Sequence, residues 1–173
     1  MPHSLDAKRV DEALLRLDGK LSGDFRLVVG GGAAMAIAYD HPLATKDVDA
    51  FLAKGADRLA ELTQASHVVA REMDIAPDWL NPYYETFAFV LPPDYPARLR
   101  RVFHGRHVEV LALGPEDLLV MKCFAHRQKD VGHARALVRL AADLEVVKRR
   151  ISELMDKGYP GAEEAADFFD DLR

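Results

Sequence analysis

Three consecutive glycines, Gly30, Gly31 and Gly32, directly follow the apolar run Leu27-Val28-Val29, and two aspartates, Asp47 and Asp49, stand one residue apart inside a second apolar run. Glycine admits positive φ and lets a ligand approach the main chain closely. At a strand–glycine–helix junction, free N–H groups face outward and phosphates bind there. The same glycines also suit a tight turn that holds nothing. Alternate strand residues point to one face, so Asp47 and Asp49 are expected to share a face, with Val48 turned into the core. Two carboxylates so close repel each other. A metal ion, a dinucleotide-binding arrangement or plain solvation could account for them.

The phosphate-binding readings differ in what else they require. A Walker A loop ends in Gly-Lys-Ser/Thr, which does not follow these glycines. A dinucleotide fingerprint, G-x-G-x-x-G/A, is matched by Gly30 and Gly32, but Met35 fills the third place, where helix and strand must pack closely. Asp49 lies about 20 residues further on, where that fingerprint has its ribose-binding acid, and keeps this reading open. The third reading uses both aspartates. Mg2+ takes oxygen ligands and commonly binds one or two carboxylates together with substrate phosphates. Asp-x-Asp alone is a weak signal; beside a strand and Gly-Gly it points to a metal site. Glu109 is a candidate third acid, because it interrupts the apolar alternation of Val108, Val110 and Ala112. The other reading is an exposed edge-strand glutamate.

The elements around these residues follow from pattern. Residues 4–21 read as an amphipathic helix capped by Ser4, with Val10, Leu14, Leu15 and Leu17 inward. Strands are expected at 25–29, 48–52 and 87–91, and a hairpin turns at His104-Gly105. Residues 33–39 and 56–72 read as helices, and the chain is helical from Pro115 onward, broken near Lys129-Asp130, Asp143 and Gly158-Tyr159-Pro160. The expectation is an α/β (α+β) fold: a mixed sheet flanked by helices over residues 1–114, then a helical portion over 115–173 packed on that core.

Composition excludes several classes. Among 173 residues, 49% are apolar, enough for a core and too many for a disordered chain. The net charge of −5 argues against a broad nucleic-acid face. The single cysteine, Cys123, rules out an intrachain disulfide and reads as a small buried apolar residue. The N-terminal "MPHSLDAKRV" is unlike a secretory signal, and no apolar run suits a membrane span, so a cytoplasmic protein is expected. The histidines form no zinc pattern. In "WLNPYYE", Trp79, Tyr83 and Tyr84 are candidates for base stacking, although anchoring a loop is the simpler role.

The blocks "VVGGGAAMAI" and "TKDVDAF", with "VEVLAL" later, resemble the polymerase-beta-like nucleotidyltransferase superfamily. "GPEDLLVMKCFAHRQKD" looks like the helix that small bacterial members carry next, among them toxins of toxin–antitoxin and abortive-infection systems. The resemblance covers residues 27–51 and 108–130. It implies Asp47 and Asp49 as catalytic metal ligands for Mg2+, or Mn2+ in its place, with Glu109 completing the metal site or acting as base. Gly31 and Gly32 would hold the triphosphate of an NTP, with Thr45 and Lys46 flanking it. Lys122 would reach a phosphate, or else lie on a solvated helix face. Lys129 and Asp130 read as a local ion pair. The implied activity moves a nucleoside monophosphate to a hydroxyl of RNA, protein or a small molecule. The alternative is an inactive binding module, a component of a toxin–antitoxin pair with an antitoxin partner. Two positions depart from the family pattern: Leu43 replaces an arginine before the Thr-x-Asp-x-Asp block, and His133 replaces an aspartate.

Overall fold

The structure is a computed structural model that describes residues 3–141 and 143–173, and only the main chain of residues 85–87. The first two residues of the polar N-terminal segment therefore lie outside it. The chain divides into two units: residues up to Thr86 with Arg100–Ala112, and Phe87–Leu99 with Leu113–Arg173.

The first unit opens with α1, Ala7–Asp18. Its cap is Asp6, not Ser4: the Asp6 carboxylate accepts the Arg9 N–H at 2.8 Å. Val10, Ala13, Leu14 and Leu17 are buried, whereas Leu15 is 65% exposed. Helical geometry explains the exchange of Leu15 for Ala13. At about 100° per residue, Leu15 lies roughly 140° around the helix from Val10, while Ala13 stays within about 60°.

Strand β1, Phe25–Val29, is the middle of a five-stranded sheet, with β2 (Val48–Lys54), β3 (Leu80–Asn81), β4 (Arg100–His104) and β5 (Val108–Ala112) in the order β3-β2-β1-β5-β4. β1 runs antiparallel to β2 and parallel to β5, while β4 and β5 form the expected hairpin. The sheet is thus mixed. Helix α2, Gly31–Tyr39, connects β1 to β2, and α3, Leu59–Met73, follows β2. β3 lies in the stretch that sequence pattern left irregular. Trp79, fully buried, donates its indole N–H to the Ser66 carbonyl at 2.9 Å, and Val48 N–H donates to the Trp79 carbonyl at 2.6 Å. Trp79 is therefore a loop anchor. The hairpin is tied down by Asp18, whose carboxylate accepts the N–H groups of Arg106, His107 and Val108 at 3.0, 2.7 and 2.8 Å.

The second unit contains α4 (Pro115–Ala125), α5 (Val131–Leu140), α6 (Leu144–Asp156) and α7 (Ala162–Asp171), with α4 packed against the other three. The strand expected at 87–91 does not form. Residues 87–90 of that stretch belong to a 3-10 segment, Tyr84–Val90. Carbonyls that a sheet would pair are taken by Arg150, which donates to Val90 O and Phe89 O at 2.9 Å each. Cys123 on α4 is buried and its thiol is pushed up to about 12, as burial alone dictates. Among the described residues, no helix is long and apolar enough to cross a membrane.

Candidate functional site

The glycine run lies where β1 hands over to α2. Gly30 is the last extended residue, and its N–H donates to the Asp49 carbonyl at 2.9 Å. Gly31 adopts φ +58°, a left-handed conformation that side-chain-bearing residues avoid. A Cβ on Gly31 would fall 3.0 Å from Asp49 Oδ2, and one on Gly30 would run into the Tyr84 ring. Gly32 faces Leu43 and Thr45, whose nearest atoms lie 3.3 and 3.6 Å from where its Cβ would be. The opening N–H groups of a helix have no intrahelical acceptor, and the macrodipole is positive there. The backbone of Gly31 and Gly32 is therefore suited to an anion.

This junction is not a dinucleotide fingerprint. The strand after α2 returns antiparallel to β1, whereas that fingerprint belongs to a parallel strand–helix–strand unit. Met35 is fully buried in the place of the third glycine.

Thr45 is held by main-chain bonds to Leu5 in both directions, 2.8 Å each, and its hydroxyl donates to the Asp47 carbonyl at 2.9 Å. Lys46 and Asp47 are exposed, Val48 is fully buried and Asp49 is half-buried. Asp47 precedes the first residue of β2 by one position. Asp49 Oδ1 accepts an N–H from the Asn81 side chain at 2.9 Å. Asn81 went unnoticed in the sequence. Its only signal there is its place in the "WLNPYYE" cluster, and the two-residue strand that carries it has no periodicity to detect. Tyr84 packs on Gly30, and Tyr83 is 65% exposed.

Two residues expected at the site are differently engaged. Glu109 is in register with Arg26 on β1, whereas Asp49 is bonded to Gly30, four positions further along that strand. At about 3.3 Å per residue this separates them by roughly 13 Å along the strand direction. The Glu109 carboxylate accepts from Arg26 Nε at 2.6 Å and lies 3.9 Å from Arg101 Nε. The bond to Arg26 holds it below the usual carboxylate range. Leu111, not an acid, is the β5 residue level with Val28, nearer the glycine end of β1. Lys122 is nearly buried on α4 and donates to Asp130 at 2.7 Å, with Arg127 completing the Asp130 pairing at 2.5 Å. Burial would raise the Asp130 pKa, but these two cations hold it below the ordinary value. Asp130 is thus paired with Lys122 and Arg127, rather than with Lys129. Among the described residues, no group of three or more His, Cys, Asp or Glu is placed to hold a metal ion. Asp47 and Asp49 supply two carboxylates, a set that suits a hard cation only when a ligand such as a phosphate adds further oxygens.

A mixed sheet with a strand–glycine–helix junction and an aspartate set against it defines an α+β nucleotidyltransferase-like fold. The model of the family described as nucleotidyltransferase of unknown function (DUF6036) matches residues 7–168, and the chain belongs to that family. No match was found among curated proteins or among solved structures.

Proposed function

We propose that the protein transfers a nucleoside monophosphate from an NTP to an acceptor hydroxyl, in the manner of the polymerase-beta-like superfamily. The observation that carries the proposal is the Asp49 carboxylate against Gly31, a residue that both its φ and its surroundings restrict to glycine. The N–H groups of Gly31 and Gly32 receive the triphosphate, with Thr45 and Lys46 beside them. Asp47 and Asp49 hold Mg2+, or Mn2+, together with phosphate oxygens; the bound ion neutralises phosphate charge. In the reaction the acceptor hydroxyl gives its proton to solvent as its oxygen bonds to the α-phosphorus, the bond from that phosphorus to the bridging oxygen breaks, and pyrophosphate leaves with that electron pair. Glu109, committed to Arg26, is given no part in it. The acceptor is an RNA, a protein or a small molecule, and the setting is cytoplasmic.

The test combines binding with turnover. Mg2+ plus ATP, GTP, CTP or UTP should raise the melting temperature more than either component alone, because ligands that bind only the folded state stabilise it. Asp49→Asn should abolish the joint effect. Label from an α-labelled NTP should move to an acceptor in cell extract. If neither melting temperature nor label responds to any NTP with Mg2+ or Mn2+, the proposal is wrong.

One observation favours a second reading. Glu109 lies four register positions from the glycine junction, which leaves Asp49, with Asp47 two residues before it, as the acids of the candidate site among the described residues. A non-catalytic nucleotide- or partner-binding module, such as one half of a toxin–antitoxin pair bound to its antitoxin, would need no more. NTP-dependent stabilisation without label transfer, together with a stable complex with a neighbouring gene's product, would establish it.

A further inference from the structure

We infer that Asn81 is a positioning residue for the metal–nucleotide site: it holds one oxygen of Asp49 so that the other is presented beside Gly31. The inference rests on the nucleotide reading of that site and adds a residue to it. β3 lies parallel to β2 with Asn81 opposite Asp49, so the two side chains emerge at one register position of adjacent strands. Asn81 Nδ2 donates to Asp49 Oδ1 at 2.9 Å, and the Tyr83 N–H donates to Asn81 Oδ1 at 3.2 Å. The second bond fixes the first. A main-chain N–H can only donate, so it requires the carbonyl oxygen of the amide and turns the NH2 group towards Asp49.

The support for Asn81 is rigid. β3 follows Trp79, which is fully buried and bonded through both its indole N–H and its carbonyl. Asp49 Oδ2 is then the oxygen left towards the junction, 3.0 Å from where a Gly31 Cβ would stand. Partners that orient a ligating carboxylate in this way typically change metal affinity about 10–100-fold when removed. The residue type also matters. An amide stabilises the carboxylate without adding charge, so the junction keeps two acids; an aspartate at 81 would supply a third.

The experiment is Mn2+ titration of the full chain, with and without ATP, followed by the paramagnetic signal of free Mn2+, alongside thermal melts without ligand. Wild type should bind Mn2+ strongly only with ATP. Asn81→Ala should bind Mn2+–ATP about 10–100-fold more weakly, with an unliganded melting temperature close to wild type. Asn81→Asp should gain Mn2+ binding without ATP, and this readout stands even if the alanine variant folds poorly. Wild-type binding with unchanged affinity in Asn81→Ala and no gain in Asn81→Asp overturns the positioning role alone. Absence of Mn2+–ATP binding in folded wild type overturns the nucleotide reading, and this inference with it.

Discussion

Replacing Gly31 with alanine tests the junction most directly, because two independent penalties fall on one methyl group. A non-glycine residue held at φ +58° costs about 1–2 kcal/mol. The new Cβ would also lie 3.0 Å from Asp49 Oδ2, on a carboxylate tied to Asn81 through its other oxygen. Asp49 must therefore yield by a few tenths of an ångström. Alanine returns roughly 0.4–1 kcal/mol by restricting the unfolded chain. The net loss is about 1 kcal/mol, or roughly 2–4 °C in melting temperature for a chain of this size. The effect on ligand binding should be larger. An NTP–Mg2+ complex at a hundred times its dissociation constant stabilises wild type by about 2.7 kcal/mol, roughly 5–10 °C. That shift should largely vanish in Gly31→Ala, because the methyl group occupies the space between the backbone and the ligating oxygen. Differential scanning fluorimetry with and without Mg2+–NTP reads both quantities. A variant as stable as wild type would refute the conformational argument. A destabilised variant with the full ligand shift would show that the nucleotide is not held at this junction.

Glu109→Gln should cost less than about 1 kcal/mol, since its pair with Arg26 is partly solvated, and should leave NTP binding and transfer unchanged. A hundredfold loss of transfer would give Glu109 a part in the reaction despite its place beside Arg26. Lys122→Met should lower stability by about 3 kcal/mol, because Asp130 stays buried with only Arg127 to pair it; unchanged stability with lost NTP affinity would restore a phosphate-binding role to Lys122. Asp18 should support the fold in a pH-dependent way. Burial would raise its pKa, but three backbone N–H bonds prevail and hold it below its ordinary value of 3.8. Its contribution is therefore present above that value and lost as pH falls through the lower, folded one. The gap in urea midpoint between wild type and Asp18→Ala should be constant from about pH 7 to 5 and close below about pH 4; a gap that persists in acid would contradict this. Chelator without nucleotide should leave the melting temperature unchanged, and a clear drop would reveal a metal bound in the absence of NTP.

The parts of the fold readable in sequence were those fixed by neighbours along the chain. β1 ends at Val29 because glycines follow, the β4–β5 hairpin turns at Gly105–His107, just past the expected His104-Gly105, and the helices of the second unit break near Lys129-Asp130, Asp143 and Gly158-Tyr159-Pro160. The placement of Asp49 beside Gly31 was readable for the same reason: the two are linked by a connection that returns β2 beside β1. The misplaced features depend on partners distant in sequence. An apolar run at 87–91 looks like a strand until Arg150, some sixty residues later, takes its carbonyls. Glu109 looks like a third ligand because it is an acid on a strand beside β1. Only the register of β1 with β5, which periodicity does not encode, shows that it meets Arg26 instead.

The register also bears on how two like charges are tolerated at the head of β2. Asp47 is exposed, so water screens it. Asp49 is half-buried and loses some of that screening, but it receives an N–H from Asn81 and lies beside the positive end of α2. These contacts offset part of the repulsion within the pair. A site with only two carboxylates holds free Mg2+ weakly, because the ion gives up hydration reluctantly. A triphosphate supplies the remaining oxygens and the charge, so metal and nucleotide should bind as one ligand. Glu109 at the junction would have made a three-acid cluster under strong mutual repulsion, dependent on metal even when empty. Its place beside Arg26, with the neutral amide of Asn81 next to Asp49, leaves a junction that under the proposed function a metal–nucleotide complex would complete.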